Sequence, residues 1–193
     1  MTTLNLTAEL ERLIADIVDR MAEFGHIDPR RVLVCVSSTR GSGVHGTYAK
    51  IHPLRFENGL RSKTVRRGAR SHVYELPALS HRGVEMLYVI YFLIPRFLNL
   101  TFHEKLVTLF HELYHISPQF NGDIRRFPGK NFAHGSSTRR YNAHMAQLVD
   151  AYLRTDGSNH AADFLKNDMA EMRQSYQAIV GRKMAAPRIR LVE

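Results

Sequence analysis

The sequence predicts an α+β fold: a small, twisted, mostly antiparallel sheet with an N-terminal helix, a central helix and a helical C-terminal portion. Three observations predict it. An amphipathic stretch opens the chain, several short β-branched or apolar runs follow with loops rather than helices between them, and helical periodicity returns after residue 101.

Residues 7–24 place Leu10, Leu13, Ile14, Ile17, Met21 and Phe24 on one helical face, with Thr7 as the expected N-cap and Gly25 as the stop. After Asp28-Pro29, residues 32–36 read as a strand, and the glycine-rich residues 37–46 as a loop. Residues 48–54, 72–76 and 84–94 supply three more strands, the last expected at the sheet centre because it is the most continuously apolar. Between them, residues 61–70 hold four arginines and Lys63 and read as a basic loop connecting a hairpin.

Thr101 and Glu104 have the spacing of a capping box, so a helix is expected to begin there, to continue through Leu106, Val107, Phe110, Leu113 and Tyr114, and to end before Pro118. Residues 118–135 read as irregular, punctuated by Gly122, Pro128, Gly129 and Gly135. Helices are expected over residues 137–154 and 160–180. The period-two tail at residues 187–192 reads as an edge strand or a basic tail within residues 181–193, and the 193 residues suit one domain.

Composition narrows the function classes. A single cysteine, Cys35, leaves no partner for an intramolecular disulfide and no set for a cysteine zinc ribbon or an iron–sulfur cluster. A reducing cytoplasm is therefore expected, with any metal held by histidine, carboxylate or water. The first twenty residues carry Glu9, Glu11, Asp16 and Asp19 and do not read as a secretory signal. The apolar run at residues 86–94 stops at Pro95-Arg96, short of the roughly 20 residues of a spanning helix, so no membrane span is expected. A net charge of +9 points to a polyanionic partner, nucleic acid among the candidates.

The chemistry-bearing constellation is His111-Glu112-Leu113-Tyr114-His115. Histidines four apart on a helix project from one face and can bind one ion together. The intervening carboxylate lies too far round to be a good ligand but can reach a metal-bound water, which makes Glu112 the expected general base. Zn²⁺ is the expected ion. It lowers the pKa of its bound water toward about 7 and polarises a carbonyl. An uncharged surround, Thr108, Leu109, Phe110, Leu113, Tyr114 and Ile116, can bury such a site.

A catalytic zinc site needs a third protein ligand and an open position. His134, 19 residues after His115, is the expected third ligand, and His144 on the following helix is the alternative. Asp123 and Asp150 read as supporting or capping groups. Tyr141, His144, Arg125 and Arg126 are candidate donors to a developing oxyanion, and Gly122 and Gly129 are lid hinges or simple turns.

These residues carry a resemblance. The His111–His115 segment, preceded by Thr108 and apolar positions, resembles the signature of zincin metallopeptidases. His134-Gly135 followed by the aromatic Tyr141 resembles the SprT-like branch, and the run from His111 to Arg126 with Tyr141-Asn142-Ala143-His144 is similar to a group of bacterial and phage metallopeptidase-like proteins. The resemblance implies a zincin-like fold and hydrolysis of a peptide bond in a peptide or protein substrate. The alternative is a metal-bearing module without hydrolysis that binds nucleic acid or a protein partner through its basic surface.

Overall fold

The computed structural model describes residues 2–39, 46–128, 137–155 and 158–192. In chain order it contains β1 (Thr3–Asn5), α1 (Leu6–Arg20), β2 (Val32–Ser38), β3 (Ala49–Pro53), β4 (Ser62–Arg67), β5 (Arg70–Glu75), β6 (Ser80–His81), β7 (Val84–Glu85) and β8 (Tyr88–Ile94). Then come α2 (Phe102–Tyr114), α3 (Thr138–Leu153), α4 (Ser158–Ala162), α5 (Met169–Ser175), β9 (Ala178–Val180) and β10 (Arg190–Leu191). The fold is α+β, and among the described residues four of the six strand pairings are antiparallel. No helix among the described residues is long and apolar enough to cross a membrane.

The sheet that organises the core has the order β2-β8-β3, with β8 parallel to β2 and antiparallel to β3. Its alternation explains why residues 32–36 and 88–92 are apolar without interruption. Val32, Val34, Tyr88, Ile90 and Phe92 face the main core with α1, α2 and α3, whereas Leu33, Cys35, Val89 and Tyr91 face a second, smaller cluster with Leu54 and Met86. A sheet covered on both faces has no polar side to show. The expected strand over residues 84–94 is central, but it is cut in two. Val84–Glu85 pairs with Ser80–His81 in a small hairpin, and only Tyr88–Ile94 enters the sheet.

α1 buries Leu6, Leu10, Leu13, Ile14 and Ile17, yet its limits differ from the sequence expectation. Asn5 is the N-cap, its side chain accepting from the Ala8 amide, and Thr7 lies buried inside the helix with its hydroxyl donated to Asn5 Oδ1. The helix stops at Arg20, because Met21 turns extended and a 3-10 turn over Ala22–Phe24 carries Phe24 into the core.

Two further expectations are corrected. The basic stretch is a strand for most of its length: Ser62–Arg67 pairs in register with Arg70–Glu75, and the turn is confined to the tip at Gly68, which has φ +61°. The helix expected over residues 160–180 is three pieces. After α4 and a 3-10 turn over Asp163–Lys166, Asn167 is extended, and Asp168 restarts a helix with a capping box to Glu171. The chain then leaves as β9, parallel to β1, while Phe164, Leu165 and Met172 supply the apolar face that suggested continuous helix.

Candidate functional site

The helix that carries the histidines is fixed at both ends. Thr101 Oγ accepts the Glu104 amide and the Glu104 carboxylate accepts the Thr101 amide, so the capping box is complete. At the other end His115 sits at the C-cap in αR geometry. The chain returns past that end through a bridge between Ile116 and Ile124, which lets the Arg125 amide donate to the His115 carbonyl at 2.6 Å and Arg125 Nε donate to the Tyr114 carbonyl at 2.9 Å. Carbonyls of the last helical turn thus gain partners that the helix cannot provide, and the Arg125 cation lies where the helix dipole favours it.

Along α2, Leu106, Leu109, Phe110 and Leu113 are buried in the main core, with Phe110 edge-on to Phe24 at 5.3 Å between ring centres. That packing sets the helix rotation and turns His111 and His115 toward α3. Their ring centres are 4.7 Å apart, His111 half-buried and His115 buried. Glu112 is 6% exposed, and burial pushes its carboxyl up to about 7, against the opposing pull of the Ile51 backbone amide that donates to it. Ile51 lies on β3, an edge strand of the core sheet.

α3 begins at Ser137, whose hydroxyl accepts the Arg140 amide, and its first turns carry Tyr141 and His144. The Tyr141 ring lies 4.8 Å from that of His111 and 5.7 Å from that of His115, and its hydroxyl makes a long hydrogen bond of 3.4 Å to the His111 carbonyl. Burial, reinforced by Glu112, raises the Tyr141 phenol far above its ordinary value, so the oxygen stays protonated and can donate. His144 stands 5.2 Å from Tyr114, whose ring also meets Tyr141 at 5.5 Å and carries the Arg125 guanidinium at 4.0 Å.

His111, Glu112, His115 and Tyr141 therefore come together, and His144 lies against Tyr114. His134 and Gly129 lie outside the described residues. Among the described residues no three His, Cys, Asp or Glu side chains form a group arranged to hold a metal ion. Arg126 is engaged with Asp123 through two hydrogen bonds of 3.0 Å, and Asp123 also accepts the Asn58 amide, so this pair braces the loop after the helix. Gly122 has φ +88°, and a Cβ there would meet Arg55 Cγ at 2.5 Å, a close approach that only glycine permits. Asp150 lies on the surface, its carboxylate 3.1 Å from His103.

Sequence reasoning did not assign three groups at this site: the Ile51 amide, the Arg125 bonds that close the helix, and the Tyr114 ring that touches both Tyr141 and His144. A backbone amide carries no side-chain signal. Arg125 could have been found as a cation placed to return to the C-terminal end of a capped helix.

The family described as putative phage metallopeptidase matches residues 4–153. No curated protein and no solved structure matches the chain.

Proposed function

Since the chain belongs to the putative phage metallopeptidase family, we propose that it is a zinc-dependent peptidase of zincin type, in which His111 and His115 hold the ion and Glu112 is the general base. The observation that carries this reading is that one helix turn brings together two histidines whose rings lie 4.7 Å apart and the buried carboxyl of Glu112. The donor set fits: two neutral imidazoles suit a borderline divalent ion such as Zn²⁺, and a cytoplasmic setting suits a chain whose one thiol, Cys35, is buried. His134 is our third ligand and His144 the alternative. We read residues 1–193 as one zincin-like unit, with His134-Gly135 favouring the SprT-like branch.

When bound, the ion supplies Lewis acidity to the scissile carbonyl and acidity to water. The protein residues do the rest. Glu112 Oε takes a proton from the attacking water and returns it to the leaving amine, a task for a carboxylate held in place by burial on the motif helix. Tyr141 turns its one hydroxyl proton from the long bond with the His111 carbonyl to the oxyanion that develops on the substrate carbonyl, and its raised pKa keeps that proton on the phenol. The substrate is a peptide or protein.

Glu112→Gln tests the reading. The variant is expected to keep its zinc, measured by elemental mass spectrometry, and to lose roughly 10²–10⁴-fold in hydrolysis of a peptide library. His111→Ala and His134→Ala are expected to lose the metal. Undiminished hydrolysis by Glu112→Gln would remove the peptidase mechanism, and undiminished zinc in His134→Ala would remove the third ligand.

A further inference from the structure

The three-stranded sheet β10-β5-β4 shares no strand with the core sheet and no residue with the proposed peptidase site, and none of its β4 or β5 side chains is buried. Across residues 62–75 and 188–192 it carries Lys63, Arg66, Arg67, Arg70, Arg188 and Arg190 against one carboxylate, Glu75, which is more than half of the +9 net charge of the chain. All six cations are exposed, and none forms a salt bridge among the described residues. By contrast, Arg31, Arg55 and Arg61 converge on Glu85 at the base of the same region. The charge on the sheet is thus left uncompensated by the fold.

The register sorts these side chains onto faces. Lys63 pairs with Tyr74, Val65 with His72, Arg67 with Arg70, and Leu191 with Tyr74, so all of them share one face. On that face a groove of ≈520 Å³ is lined by Phe56, Lys63, Val65, Arg67, Tyr74 and Ile189. Two half-buried aromatic rings therefore lie in a trough flanked by cations, with Ile189 (54% exposed) at its rim.

We propose that this face is a binding site for single-stranded nucleic acid, with bases stacked on Phe56 and Tyr74 and phosphates held by Lys63, Arg67 and Arg70. Arginine predominates among the cations, and its planar fork matches phosphate oxygens. Aromatic rings add what phosphate contacts alone do not need, since stacking requires bases whose faces are free. In a duplex those faces are hidden, and an acidic peptide or a lipid headgroup has none. The site shares no residue with the group around Glu112, so it stands or falls independently of the peptidase reading.

The test is fluorescence anisotropy with a labelled single-stranded DNA oligonucleotide, the matching duplex, and phosphatidylserine vesicles, from about 50 to 200 mM salt. The full chain is expected to prefer the single strand, with a logarithmic salt slope of about −2 to −3, since each single-strand phosphate contact contributes about −0.7. The Lys63→Ala/Arg67→Ala/Arg70→Ala variant is expected to bind at least tenfold more weakly and to lose about two units of slope. Tyr74→Phe keeps the ring and the affinity, whereas Tyr74→Ala lowers affinity roughly 5- to 100-fold at an unchanged slope. Zinc content and thermal melting of each variant serve as controls for folding. Preference for the duplex or for vesicles, absence of salt-dependent binding, or an unaltered affinity in the triple variant or in Tyr74→Ala would each overturn the proposal.

Discussion

Lys105 is the side chain whose removal tests the packing of the motif helix most directly. It is 1% exposed, on the same helix as His111, and its ammonium donates to the Leu165 carbonyl at 2.9 Å and to the Asn167 carbonyl at 2.7 Å. Those carbonyls belong to the point where the chain breaks between the 3-10 turn and α5. Lys105→Met keeps most of the volume and removes both bonds. Each hydrogen bond from a charged donor contributes about 1.5–3 kcal/mol, while removing the buried charge relieves a desolvation cost of the opposite sign. Because two carbonyls stay behind without their donor, the first effect wins, and we expect a net loss of about 2–4 kcal/mol. For a chain of this size that lowers Tm by roughly 5–15 °C. Thermal unfolding followed by circular dichroism reads the loss, and hydrogen exchange should place it at residues 163–176. A Tm equal to or above that of the parent would show that desolvation of the ammonium outweighs its bonds, and the reasoning fails.

Thr101→Ala removes one half of the capping box, and a loss of about 1 kcal/mol, or roughly 2–4 °C in Tm, is expected; an unchanged melting curve would mean that tertiary packing alone sets the helix start. The second prediction concerns pH. Burial lowers the pKa of His26 and of His52, and each has an Nε2 atom buried without a hydrogen-bond partner. In the unfolded chain both titrate near about 6.5, so the unfolded state binds more protons as the solution is acidified. Their contribution to stability is complete above that pH and is lost as the pH falls through the depressed folded values. Urea midpoints should fall from pH 7.5 toward pH 5.5 by about the amount that the linkage predicts, and the His26→Asn/His52→Asn variant should show a shallower fall. Parallel curves for the two proteins would count against this assignment.

What was legible in the sequence follows from which forces leave a pattern in one dimension. The uninterrupted apolar runs of residues 32–36 and 88–92, the Thr101-Glu104 spacing and the pair His111 and His115 depend on near neighbours, and the structure contains these strands, this cap and this juxtaposition. Two features depended on distant partners, and a third on a local break hidden inside an apolar pattern. Ser62–Arg67 carries too much charge to look like a strand, yet Arg70–Glu75 supplies its ladder. Residues 160–180 keep an apolar face through Phe164, Leu165 and Met172, but Asn167 and Asp168 prefer a break and a new cap. Nothing in the sequence marks Lys105 as buried, because only the fold brings two carbonyls to its tip. At the site, the Ile51 amide beside Glu112 comes from strand placement alone.

The two-ended hold on α2 bears on how an ion would be captured. A helix closed by Glu104 at its start and by Arg125 at its finish resists fraying, so in the zinc site proposed above His111 and His115 would already hold their mutual orientation before an ion arrives. Little conformational freedom is then left for the metal to quench on arrival. Capture in such a site resembles docking into a rigid clasp more than folding around a nucleus, and loosening the clasp at Arg125, far from either imidazole nitrogen, would slow no chemistry yet let the ion escape sooner.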